Sequence, residues 1–159
     1  MYDATNELCE RAGLIGYEVS NYAKPGAESR HNLIYWRYGD YLGIGPGAHG
    51  RLTVGGVKYA TEHYKMPTAW LKNVEAGKGE KLRDALSKTD QANEYLLMGL
   101  RITDGIDKIR LENLAGTKLD KSALTHLTDL NLIEENGTHL RATPKGRLLL
   151  NSVIAELIF

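Results

Sequence analysis

The chain has 159 residues, 42% of them hydrophobic and 25% charged, the balance of one ordinary soluble domain or two small ones. Lys plus Arg and Asp plus Glu each total 20, so the net charge is zero, and the electrostatic footprint of general nucleic-acid or membrane binding is missing. A single cysteine, Cys9, excludes an internal disulfide, and no apolar run approaches the roughly 20 residues that span a bilayer. With no signal-like start in "MYDATNELCE", these features predict a cytoplasmic chain without a transmembrane segment.

In chain order, residues 3–13 predict a short helix, with Ala4, Leu8 and Ala12 on one face and Gly13 as its stop. "LIGYEVSNYA" predicts a strand with Tyr17 and Val19 on one side and Glu18 and Ser20 on the other, either lining an interior or facing solvent. "KPGAES" is a turn, "DYLGIG" a second apolar strand, and "GPGAHG" the loop after it. Helix, strand, loop, strand reads as a piece of an α/β sheet. Two strands cannot form a parallel sheet covered on both faces, so this stretch is expected to be the end of a larger domain.

Residues 60–86 are polar and mixed and read as a connector with one short helix at 68–76. From residue 87 the pattern becomes helical. Ser87 or Thr89 can cap a helix running to about Arg101, with Ala92, Tyr95, Leu96, Gly99 and Leu100 on one face. "GIDKIRLENLAG" is a second helix, and Asp120 caps a third with Leu124, Leu127 and Leu130 in repeat. Asn136-Gly137 signals a hairpin, and Thr143-Pro144 opens a last helix carrying Leu148, Leu149, Val153, Ile154, Leu157 and Ile158. The expected class is α+β: an α/β piece over 1–60, a connector over 61–86, and a mostly helical winged-helix-like domain over 87–159.

Two constellations carry chemistry. His31, Asn32, Tyr35 and Trp36 would bring His31 and Tyr35 to one face if residues 31–36 form a helical turn. A histidine among aromatic rings suits a flat aromatic ligand, and a porphyrin is the natural class, because haem iron accepts histidine and the macrocycle stacks. The same residues also read as core aromatics beside a backbone-bonded histidine. In the second, Gly45 and Gly47 before Ala48 permit positive φ and close approach of a ligand to the backbone. Their two-residue spacing is not a dinucleotide fingerprint, and a simple tight turn explains them equally.

The remaining candidates are weaker. His63, His126 and His139 are scattered, so no metal site is expected, and no catalytic triad, Walker loop or carboxylate pair appears. Cys9 reads as a small packing residue. The winged-helix order raises the question of DNA. The third helix, however, sets Lys121, Ser122, Thr125 and Thr128 beside Asp120 and Asp129, and the hairpin sets Arg141 against Glu134 and Glu135. Without clustered basic residues, no nucleic-acid partner is expected.

Taken together, "YEVSNYAKPG", "HNLIYW", "GDYLGIGPGAHG", "LLMGLRITDGID" and "TPKGRLLLNSVI" resemble, in this order, the HemW family of radical SAM haem chaperones, relatives of oxygen-independent coproporphyrinogen III oxidases. The resemblance implies that residues 1 to about 60 match the last part of a radical SAM partial barrel. It implies a [4Fe–4S] cluster, S-adenosylmethionine and haem for the whole protein. It assigns a candidate haem site to His31, Asn32, Tyr35 and Trp36, and a candidate S-adenosylmethionine contact to Gly45, Gly47 and Ala48. The family's CxxxCxxC motif is absent, and one thiolate cannot hold the cluster. The chain is therefore expected to be a C-terminal fragment, with no catalytic residue of its own and inactive alone in cleaving S-adenosylmethionine. The function implied is to bind haem and deliver it to client haemoproteins. Part of an oxidase that decarboxylates coproporphyrinogen III, or a protein-interaction module, are the alternatives. An exposed strand edge near residues 16–22 would favour oligomers.

Overall fold

In the computed structural model, which describes residues 2–159, helix α1 (Tyr2–Arg11) ends in a turn at Gly13, with φ of +73°, and leads into strand β1 (Ile15–Glu18). Strand β2 (Asn21–Ala23) folds straight back to pair antiparallel with β1. The single strand expected over 14–23 is therefore a hairpin. Its cause is local: the Glu18 carboxylate accepts the Ser20 backbone N–H at 2.9 Å and the Asn21 amide at 2.6 Å, which tightens the reversal.

Helix α2 (Arg30–Trp36) follows, its N-terminus capped by the Ser29 hydroxyl, which accepts from Asn32 N–H. The chain then divides into two compact units, one made of residues up to Tyr38 with Ala92–Phe159, the other of Gly39–Gln91.

The second unit is an antiparallel meander of β3 (His49–Val54), β4 (Val57–His63) and β5 (Glu80–Ala85), with helix α3 (Pro67–Glu75) between the last two. The polar stretch from 60 thus contributes two strands beside its expected helix. Gly55 and Gly56, both at positive φ, form the two-residue hairpin loop that joins β3 to β4. No strand forms at 40–45. Tyr41 bridges Arg51 in both directions, and Gly43 packs so closely that a Cβ there would lie 2.5 Å from the His49 carbonyl oxygen. The run is held to β3 by this single bridge rather than by a strand.

The first unit continues through α4 (Lys88–Gly99), β6 (Ile106–Asp107), α5 (Lys108–Ala115), α6 (Lys121–Asp129), β7 (Ile133–Asn136), β8 (His139–Ala142), α7 (Pro144–Leu148) and α8 (Leu150–Leu157). The three strands pair in the order β6-β8-β7, giving the helix–strand–helix–helix–hairpin order of a winged helix. The expected face of α4 is fully buried, with Leu96 and Leu100 at 0% exposure, and Leu111, Leu127, Leu140 and Val153 complete the core. Two faces differ from expectation. On α6 the buried pair is Ala123 and Leu127, with Leu130 exposed. The last helix breaks at Leu149, whose φ and ψ of −116° and 25° leave the α-helical region. This break turns Leu148 and Leu149 to solvent and buries Leu150, Val153, Ile154 and Leu157.

The hairpin turn also sits one residue later than its sequence signal. Asn136 is paired with His139, and Gly137 at φ of +61° takes the first loop position. No described helix is long and apolar enough to cross a membrane.

Candidate functional site

The HNxxYW residues all lie on α2, and helical spacing divides them by face. His31 and Tyr35 form one pair, with the Tyr35 hydroxyl 2.6 Å from His31 Nε2 and the two rings edge to face at 4.8 Å. His31 is exposed and Tyr35 half-buried. One position on, Asn32 and Trp36 form the second pair, and both join a polar cluster. The Asn32 amide donates to Asn21 Oδ1 at 3.4 Å, and the Arg101 guanidinium lies over the Trp36 ring, 4.9 Å from its centroid.

Glu18 is the centre of that cluster. Its carboxylate is fully buried and accepts from Ser20, from the Asn21 amide and from Arg101, whose Nε is 2.7 Å away. Burial is the largest single influence on the Glu18 carboxyl and pushes its pKa up. The Ser20 N–H, the Asn21 amide and Arg101 together outweigh it, so the group is held below the ordinary carboxylate range. Neither Glu18 nor Arg101 stands out as a site residue in the sequence. The only signal was the alternation along 14–23, which put Glu18 opposite Tyr17 without saying which side faced inward.

The indole Nε1 of Trp36 is buried without a hydrogen-bond partner. A cleft of about 310 Å³ beside the C-terminal end of α2 is lined by Trp36, Arg37, Tyr95, Asp104, Arg110 and His139. Its charges are matched: Arg37 pairs with Asp104 at 3.1 Å, and Arg110 donates to the Arg37 carbonyl and lies over the Tyr95 ring.

The glycine loop belongs to the second unit. Gly45 has φ of +113° and Gly47 +69°, and an added Cβ at Gly45 would meet no atom within 4 Å. At Ala48 both backbone groups are engaged: its N–H donates to the Gly45 carbonyl at 3.2 Å, and its carbonyl accepts from His63 N–H at 2.9 Å. The loop thus has open space beside the Gly45 α-carbon, while the Gly45 carbonyl is taken up by Ala48. Among the described residues, no group of three or more His, Cys, Asp or Glu side chains is placed to hold a metal ion. With Cys9 as the sole cysteine, these residues do not fit a [4Fe–4S] cluster.

Residues 86–149 match the family model described as HemN C-terminal domain. The resemblance to curated relatives is broader and takes in nearly every residue. The chain is 35% identical over 163 residues to "Heme chaperone HemW" of Bacillus subtilis, covering 99% of this chain and 42% of that protein. It is also 35% identical over 172 residues to "Radical S-adenosyl methionine domain-containing protein 1, mitochondrial" of Bos taurus, covering 99% and 38%. It thus spans about two fifths of the length of these relatives. Its fold is shared with the solved structure of coproporphyrinogen III oxidase (HemN) from Escherichia coli, with a TM-score of 0.70 and 17% identity over 98% of this chain and 39% of that one. Arg101 lies inside the HemN C-terminal domain match, whereas Glu18 and α2 lie outside it.

Proposed function

We propose that this chain is the haem-holding part of a radical SAM haem chaperone, with α2 presenting the His31–Tyr35 face to haem or a related porphyrin for delivery to haemoproteins. The observation that carries this reading is the division of labour on α2. Asn32 and Trp36 tie the helix to the Glu18–Arg101 cluster, and on the neighbouring face, about 100° around the helix, the exposed imidazole of His31 meets the half-buried ring of Tyr35. Relatives named as haem chaperones support it. In the whole protein, residues 1 to about 60 would close a radical SAM barrel. The loop at Gly45, Gly47 and Ala48 would face S-adenosylmethionine, whose bound sulfonium supplies radical chemistry when a cluster reduces it. This chain's residues would contribute the backbone of Gly45, Gly47 and Ala48 to that contact, with open space beside the Gly45 α-carbon.

Titration of the chain with haemin, followed by absorbance, tests the reading. A saturable Soret change at one equivalent is expected, with affinity reduced about 10- to 100-fold in His31→Ala, the range that loss of a metal-site residue produces. Binding by His31→Ala equal to that of the unaltered chain would reject it.

A further inference from the structure

The 2.6 Å contact between Tyr35 Oη and His31 Nε2 bears on how iron would be held. In an imidazole, Nδ1 sits beside Cβ and is shielded by the main chain, while Nε2 is the outer nitrogen that a flat macrocycle can reach. Here that outer nitrogen is already engaged by a phenol, with the rings edge to face at 85°. A haem approaching α2 therefore meets a phenol–imidazole pair rather than a bare imidazole. For His31 to bind iron through Nε2, the contact must break. For the phenol oxygen to bind iron, the contact with His31 can stay and strengthen.

We propose that ferric haem is held on α2 by Tyr35 as the iron ligand, with His31 as the acceptor of its proton; this rests on the reading of α2 as the haem site. The step balances simply. The iron–oxygen bond forms, the Tyr35 O–H bond breaks, and the proton passes to His31 Nε2. The water or hydroxide on the iron in solution leaves, and the iron stays ferric. The product is a phenolate that accepts a hydrogen bond from an imidazolium, a charge-assisted contact of the stronger kind. Tyrosine is an established class of haem ligand in proteins, and an anionic oxygen favours the ferric ion. Ferrous haem carries one positive charge fewer and loses that attraction.

The test is the resonance Raman spectrum of the chain with ferric haemin, excited in a phenolate-to-iron charge-transfer band, with haemin titrations of Tyr35→Phe and His31→Ala alongside. His31 is exposed and Tyr35 half-buried, and a urea midpoint confirms that each variant is folded. Iron–phenolate vibrations are expected in the unaltered chain and in His31→Ala, and not in Tyr35→Phe. His31→Ala should bind haemin about 10- to 100-fold more weakly, as loss of a group that supports an iron ligand does. An imidazole-type spectrum that survives in Tyr35→Phe and vanishes in His31→Ala would overturn the proposal and leave α2 as the haem site. Unchanged affinity in both variants would overturn the proposal together with the haem reading on which it rests.

Discussion

Arg101 donates to the buried carboxylate of Glu18 across 83 positions of sequence, through Nε at 2.7 Å and a terminal nitrogen at 2.6 Å. The same guanidinium covers the Trp36 ring, so one side chain of the segment that matches the HemN C-terminal model meets both the β1–β2 hairpin and α2. Removing it leaves a carboxylate with no exposed surface and no cation. Arg101→Met is therefore expected to destabilise the fold by about 3 kcal/mol, near the low end for a broken buried pair because Arg101 itself is partly exposed. Urea unfolding measures the loss. Glu18→Gln combined with Arg101→Met should cost less than the sum of the two changes, and strict additivity would show that the pair is not coupled.

The same carboxylate sets a pH dependence. Its pKa in the folded chain lies below the ordinary value of 4.5, so its contribution is complete above that value and is lost as the pH falls through the folded pKa. Stability should decline as the pH drops below about 4.5, and Glu18→Gln should flatten that decline. Asp40, also held low, adds its own part. Burial pushes it up most strongly, and Lys58 at 2.7 Å with the Thr53 N–H and hydroxyl pulls it further down. A variant curve parallel to that of the unaltered chain would remove Glu18 from the account.

Thr143 caps α7 by accepting the Gly146 N–H at 3.0 Å, and its hydroxyl donates to the Asn131 carbonyl at 2.7 Å, all in a buried setting. Thr143→Ala is expected to cost about 1–2 kcal/mol, and Thr143→Ser to recover most of it. Thermal melts of the two variants provide the comparison. Equal loss in both would assign the effect to the methyl group rather than to the cap.

Two glycines of the second unit should respond differently to alanine. At Gly50 a Cβ would lie 2.6 Å from Thr61 Oγ1 and 2.9 Å from the Gly43 nitrogen, so the strand pair has to move. Gly50→Ala should cost about 3 kcal/mol, the upper end for overpacking. At Gly45 the added methyl meets nothing, and only the unfavourable φ opposes it, for a cost of about 1 kcal/mol. Hydrogen exchange of the β3–β4 amides would record the difference, with protection lost in the first variant and kept in the second.

The sequence foretold most of the fold from residue 88 onward because that part follows local rules. Asp120 and Thr143 cap as their positions suggested, and the α4 face is buried as its period required. The failures have physical causes. The break at Leu149 and the burial of Ala123 rather than Leu130 depend on tertiary packing, which a periodic apolar pattern does not reveal. Gly146 shows why: its Cα faces the Leu132 backbone so closely that a Cβ would lie 1.8 Å from a carbonyl oxygen. At the candidate site, the pairing of His31 with Tyr35 followed from helical spacing. The partners of Asn32 and Trp36 did not, because Glu18, Asn21 and Arg101 reach them only through the fold.

The most direct test of the central claim is an amide-resolved NMR titration of the chain with substoichiometric ferric haemin, whose unpaired electrons broaden nearby signals. The account predicts that broadening appears first at residues 30–36 and at the adjoining hairpin. Broadening centred on the exposed Leu148 and Leu149, with α2 signals unchanged, would contradict it.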